Sequence, residues 1–300
     1  MANTAKQIPD GAHLPGAVGL HADACSPALL AARVALSGFA LCVSAWLLTG
    51  CATSGGVPNA SGTGARTDLV TESDEPEARR RARIRMELAS GYFSEGKATI
   101  ALDELKQALV IDPTFPDAYN LRGLIYMRLN DLRLAEDSFR RALALNPRDA
   151  NAAHNFGWML CQQNRYPESF TAFNQALAVP LYNEQAKTYM TLGLCQDAAG
   201  QKPEAERSLL HSYEIDAANP ITGFNLANLM YQRSELNRSQ FYIRRINNSE
   251  YANAETLWLG IKVERRMQNA EAVQQLADQL RRRYPKAREL AAYERGAFNE

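Results

Sequence analysis

Pro113 and Pro147 lie 34 residues apart, and each closes a near-identical run, KQALVIDP and RRALALNP. Working back from the two prolines aligns LASGYFSEGKATIALDELKQALVIDP with LRGLIYMRLNDLRLAEDSFRRALALNP. Tyr92 and Tyr126, Gly96 and Asn130, Ala101 and Ala135, Leu105 and Phe139, and Ala108 and Ala142 repeat at the same 34-residue spacing. A fixed period of this length marks stacked supersecondary units. The columns have separate physical roles. Small residues such as Gly123, Ala101 and Ala135 let two helices approach closely, while Tyr92, Tyr126 and Phe139 fill the space between them. Gly96 and Asn130 suit a left-handed turn between the helices, and the prolines stop the second helix. One such helix pair cannot bury its apolar face alone, so neighbours must stack.

These columns resemble the tetratricopeptide pattern. The same columns continue through Gly157, Leu160, Asn164, Ser169, Phe173 and Ala176, with Pro180 one residue early, and through Gly193, Gly200, Ala205 and Leu209. FNLANLMYQRSELNRSQFYIRRI is a degenerate fifth copy, and Gly260, Ala272, Leu276 and Pro285 carry a sixth. About six helical hairpins are expected from residue 82 to residue 287. The resemblance implies an all-α solenoid, a right-handed superhelix with a concave groove.

A second signal lies upstream. Val34–Leu47 is fourteen residues without a charge, preceded by Arg33. That suits the apolar stretch of a signal peptide and falls short of the roughly 20 residues of a bilayer-spanning helix. Leu48-Thr49-Gly50-Cys51 follows, and it resembles the lipobox of bacterial lipoproteins, in which the chain is cut before the cysteine and the thiol receives a diacylglycerol. Cys51 is thus the expected lipidation site, and acyl chains would tie the chain to a membrane. Ala52 rather than an aspartate after the cysteine is compatible, by the same resemblance, with transfer to the outer membrane. The expected organisation is a cleaved signal segment (1–50), a flexible tether (51–78) rich in Gly, Ser, Thr and Ala, a repeat domain (79–290) and a C-terminal cap or tail (291–300).

Charge excludes one class of partner. The chain carries 33 basic and 33 acidic residues, and removal of residues 1–50 leaves 31 of each. Nucleic acid would call for a basic patch and a high pI. Catalysis finds little support: residues 51–300 hold only His154 and His211, with no phosphate-binding glycine loop and no metal-spaced Cys/His cluster. His154 and Cys161 on one helix would stand about 10 Å apart, too far for a nucleophile and its base. No enzyme activity, cofactor, metal or small-molecule substrate is expected. Arg281–Arg283 read as a solvated run near a helix C-terminus. Beyond Cys51, Cys161 and Cys195 remain. They are either a disulfide formed in an oxidising compartment or two small buried helix residues.

In a solenoid of this kind the first helix of each pair lines the groove. The candidate partner-binding positions are Asn120, Leu124 and Met127, then His154, Asn155 and Trp158, then Met190 and Leu194, then Phe224, Asn225, Asn228 and Tyr231, flanked by Arg128, Gln162, Asp197 and Gln232. This apolar, amide-rich surface suits a peptide held by asparagines, with large aromatics as anchors. Chaperone-type tetratricopeptide domains use a set of basic residues to grip a terminal carboxylate, and Lys187 and Arg128 do not make that set.

Lipobox, tether and six hairpins together resemble the type IV pilus biogenesis/stability lipoproteins, the PilW/PilF family or pilotins. HNFGWMLC (His154–Cys161) is similar to the family's third-repeat segment, and ALAVPLY (Ala176–Tyr182) is similar to its early repeat break. The resemblance implies an outer-membrane lipoprotein on the periplasmic face that binds the pilus secretin and promotes its localisation and multimerisation. Generic repeat columns alone leave open a lipoprotein of outer-membrane β-barrel assembly or a scaffold for peptidoglycan enzymes.

Overall fold

The computed structural model describes residues 74–298. Cys51, the signal segment and the tether as far as residue 73 lie outside the described residues. Thirteen helices and no strand are found among the described residues. They pair as α1 (Glu77–Ser94) with α2 (Ala98–Ile111), α3 (Pro116–Arg128) with α4 (Leu132–Leu145), and α5 (Ala150–Gln162) with α6 (Tyr166–Leu177). The series continues with α7 (Gln185–Ala198) and α8 (Lys202–Ile215), α9 (Pro220–Gln232) and α10 (Leu236–Asn247), and α11 (Ala254–Arg266) and α12 (Ala270–Arg283). A seven-residue helix, α13 (Arg288–Glu294), ends it. The six expected hairpins are present, and the first begins at Glu77, inside the stretch assigned to the tether.

Local chemistry sets these boundaries. Gly96, Asn130, Asn164, Gly200, Ser234 and Gln268 each adopt positive φ between the helices of a pair, and backbone N–H groups just beyond them bond back to the last turn of the preceding helix. Asp131, Asp149, Asn219, Asn253 and Asn269 accept backbone N–H groups at the starts of α4, α5, α9, α11 and α12. Proline occupies the first turn of α3, α6, α8 and α9, where its missing N–H costs nothing.

Each hairpin closes over a small-against-large pair. A Cβ placed on Gly123 would meet the Phe139 ring at 2.5 Å, which leaves no room for a side chain, and one on Gly157 would press on Phe173 at 3.0 Å, so that the ring would have to give way. Phe139, Phe173, Leu209 and Ile243 are fully buried in successive second helices. The backbones of odd-numbered helices approach the next odd-numbered helix, whereas even-numbered helices meet each other only through side chains, as where Arg238 of α10 reaches Glu206 of α8. The stack therefore curves with the odd-numbered helices inside.

The turn residues also correct the register of the sixth copy. With Gln268 as its turn, Ile261, Val273 and Ala277 fall in the columns of Gly157, Ser169 and Phe173, so Gly260, Ala272 and Leu276 each stand one residue early. Ile261 and Ala277 are fully buried, as those columns require. The period itself breaks once: the turns at Asn164 and Gly200 are 36 residues apart, because α6 has 12 residues, α7 has 14 and the loop between them is long. No helix of the described residues is long and apolar enough to cross a membrane.

Candidate functional site

The inner face of α3, α5, α7 and α9 carries the predicted groove residues at repeating positions. Asn120 and Asn155, on neighbouring helices, are joined by a hydrogen bond from Asn155 Nδ2 to Asn120 Oδ1 (3.0 Å). Asn225 occupies the position of Asn155 two hairpins later but donates instead to the Ile221 carbonyl of its own helix (2.8 Å). Leu124 and Met127 lean on the Phe139 and Phe156 cluster, Trp158 on Cys161, Phe173 and Cys195, and Met190, Phe224 and Tyr231 on the Leu226 and Met230 cluster. Leu194 and Asn228 are likewise half-buried. These side chains thus present one face to solvent while the other is fixed by packing, the arrangement that keeps an anchor rigid before a partner arrives.

His154 is a correction. Its ring is only 6% exposed, lies edge-on to Phe173 and shares a hydrogen bond through Nδ1 with the Thr188 hydroxyl (2.8 Å). Burial, reinforced by the nearby Lys187 ammonium, pushes its pKa down to about 4. It stays neutral at pH 7 and supports the wall behind the groove. The larger residues around it, not its own polarity, decide this: Phe173 fills the hairpin and leaves the imidazole no path to solvent.

Cys161 and Cys195 are bonded to each other, with Cα atoms 5.9 Å apart. Both sequence readings hold at once, since the pair is also buried. Cys161 has no thiol for His154 to activate. Close by, Thr188 also bonds the Tyr182 hydroxyl (3.0 Å), so the loop after α6 is connected through Thr188 to His154. HNFGWMLC and ALAVPLY, far from alike as sequences, thereby meet at one seam, the place where the repeat period breaks.

The sixth hairpin extends the groove with residues that the sequence reading left out. Trp258, Lys262, Arg265 and Arg266 stand 34 residues after Phe224, Asn228, Tyr231 and Gln232, so the spacing alone could have found them. Lys262 Nζ lies 5.6 Å from the ring centres of both Tyr231 and Trp258, and the Arg266 guanidinium is 5.0 Å from Tyr231. Arg265 covers the Phe298 ring at 3.5 Å, and Phe298 stacks on Trp258 at 5.3 Å. Burial pushes the Lys262 ammonium down, opposed by the charge of Glu255.

A groove of rigid aromatics, amides and, at one end, cations has the chemistry to hold an extended polypeptide, and no nucleophile and base are assembled in it among the described residues. Models of the TPR repeat and of the tetratricopeptide repeat match residues 90–130 and 116–149. The type IV pilus assembly protein PilF of Pseudomonas aeruginosa is 27% identical over 247 residues, spanning 82% of this chain and 93% of PilF. The solved structure of P. aeruginosa PilF superposes with a TM-score of 0.67 at 26% identity, covering 73% of this chain and all of that one. That of PilW, a widely conserved type IV pilus biogenesis factor, gives a TM-score of 0.65 at 30% identity, covering 71% of this chain and 98% of PilW. The chain belongs to the PilF/PilW family. Its repeats are therefore those of a type IV pilus biogenesis factor, and the coverage shows that the family's whole solenoid, not a borrowed hairpin, is present in residues 74–298.

Proposed function

We propose that this PilF/PilW-family protein is a pilotin: an outer-membrane lipoprotein, anchored through acylated Cys51 on the periplasmic face, whose groove binds the type IV pilus secretin and promotes its localisation and multimerisation. The observation that carries the reading is the coincidence, in one chain, of a lipobox-like LTGC ending at Cys51 with a solenoid matching PilF across nearly its whole length. The tether from Cys51 to Pro76, as a flexible coil, would reach about 30 Å from the bilayer. Tethering raises the local concentration of the groove near the membrane, so a modest intrinsic affinity suffices. The groove residues proposed to meet the secretin are Asn120, Leu124, Met127, Asn155, Trp158, Met190, Leu194, Phe224, Asn225, Asn228 and Tyr231.

The test is a Cys51→Ser chain in cells, read by membrane fractionation and by a gel that preserves heat-resistant secretin multimers. The expected result is a stable solenoid released from the membrane, with secretin multimers lost or retained in the inner membrane. Unaltered secretin with a general fall in outer-membrane barrel proteins would contradict the proposal and point to barrel assembly instead.

A further inference from the structure

Along the inner face, the columns that end in Trp258, Lys262, Arg265 and Arg266 change character at the sixth hairpin. The column of Lys262 holds Leu124, Trp158, Leu194 and Asn228 in earlier hairpins, and that of Arg265 holds Met127, Cys161, Asp197 and Tyr231. Within these columns, among the described residues, three cations stand together only at the end of the groove. They are held there by aromatic rings: Lys262 over Tyr231 and Trp258, Arg266 over Tyr231, and Arg265 over Phe298. Arg266 is fixed further by the Tyr231 carbonyl (3.2 Å) and the Ser234 hydroxyl (2.8 Å).

None of the three is ion-paired to a carboxylate among the described residues, although most arginines on the outer surface are. Arg140, Arg165, Arg207, Arg233 and Arg238, for example, each have a glutamate within 4.0 Å. The chain is neutral overall, so a cluster of cations without a direct ion pair, felt by Glu255 only at longer range, is a local choice and not a reflection of a basic surface. Rings stacked beneath cations keep the charges pre-positioned, which lowers the ordering cost of binding an anion.

We propose that the sixth-hairpin end of the concave face, built on Tyr231, Trp258, Lys262, Arg265 and Arg266, is a separate docking point for a carboxylate-bearing segment of a partner protein. Charge complementarity selects the occupant, and the geometry selects a polypeptide over a lipid surface. Lys262, half-buried, and Arg266, exposed, stand on the inner face of the solenoid, where a flat bilayer cannot reach them but an extended chain can. The Phe298 ring stacked on Trp258 shows that an aromatic side chain fits beside the cations. The site takes acidic residues flanking an aromatic one, in contrast to the amide and apolar chemistry of the groove before it. It depends neither on lipidation nor on which protein supplies the segment.

The test uses the full chain and two fluorescein-labelled extended peptides, one alternating Glu and Ser around a central Tyr, the other with every Glu replaced by Gln. Fluorescence anisotropy should show the acidic peptide binding at least about tenfold more tightly, with the preference shrinking as salt screens the charges. A Lys262→Gln/Arg265→Gln chain should lose that preference while its helical circular dichroism and melting are unchanged. Exposed Arg265 substituted alone should lose part of it, which keeps the test open if the double variant folds poorly. Equal binding of both peptides, or a preference that survives the substitutions, overturns the proposal. So does binding to phosphatidylglycerol vesicles that needs these cations while the acidic peptide shows no preference.

Discussion

The seam between the third and fourth hairpins and the seam between the fifth and sixth solve the same packing problem with opposite chemistry. At the former, α5 and α7 are joined by the Cys161–Cys195 bond, and the polar groups are neutral and buried: His154, Thr188 and the Ser169 hydroxyl, which donates to the Gly157 carbonyl (2.7 Å). At the latter, the position held by Tyr126, Leu160, Gln196 and Met230 in earlier hairpins is taken by Glu264, which is 1% exposed. Glu264 accepts from Arg244 Nε (2.7 Å), from Gln240 Nε2 (3.0 Å) and from Asn269 Nδ2 (3.0 Å). Beside it lies a cleft of about 370 Å³ floored by Gly260, where an added Cβ would collide with Asn247 at 2.5 Å. A covalent, neutral seam should yield to reductant and acid, and an ionic seam to the loss of one carboxylate.

The largest expected effect is at the covalent seam. A Cys161→Ser/Cys195→Ser chain loses a link that closes a 34-residue separation, worth about 3 to 4 kcal/mol in the chain-entropy account. Chemical denaturation with and without reductant should show that loss in the wild-type chain and none in the double variant. Equal stability of both chains under oxidising conditions would remove the distinction between the seams.

Acid should act on the same seam with slightly smaller force. The native pKa of His154 lies near 4 against an ordinary 6.5, because burial disfavours the charged ring. As pH falls, the unfolded chain takes up its proton first, so stability is lost from about pH 6.5 downwards and levels off near pH 4. The total is about 3 kcal/mol. A His154→Asn chain, carrying the residue of the equivalent position 120, should show a flatter stability profile across that window. An unchanged slope would place the acid sensitivity elsewhere.

At the ionic seam, Glu264→Ala removes the acceptor for Gln240 and Asn269 but leaves Arg244 half-exposed and able to reach water. A cost of about 2 kcal/mol follows. Hydrogen exchange should show protection falling in α11 and α12 and not in α5 and α7. Loss spread evenly along the solenoid would contradict a stack whose hairpins interact only with neighbours.

How far the sequence could be read depended on which residues kept the period. Pro113, Pro147 and the turn residues Gly96, Asn130 and Asn164 repeat at 34, so the first three hairpins are legible in number and in their turns, though the first helix starts at Glu77, ahead of the periodic columns. The sixth was legible in existence but slipped by one residue. Gly260 looks like the close-approach glycine of the earlier hairpins, yet it makes room for Asn247 on α10, while the turn is set by Gln268, a residue with no sequence preference for positive φ. His154 was misplaced for a tertiary reason, since its neighbours Phe173 and Thr188 come from other helices. The groove's cationic end keeps the 34-residue spacing from Phe224 to Trp258 but changes residue type there, so spacing and not composition is what points to it.

The claim that this family member binds the secretin through its inner face is tested most directly by the affinity of the purified chain for purified secretin. A Trp158→Ala chain should be compared with a Phe241→Ala chain, which removes a 61% exposed aromatic of α10, a helix outside the inner row. Weakening of about tenfold or more for Trp158→Ala, with Phe241→Ala close to wild type, is the predicted result. Equal affinities for all three chains, or weakening by Phe241→Ala alone, would contradict it.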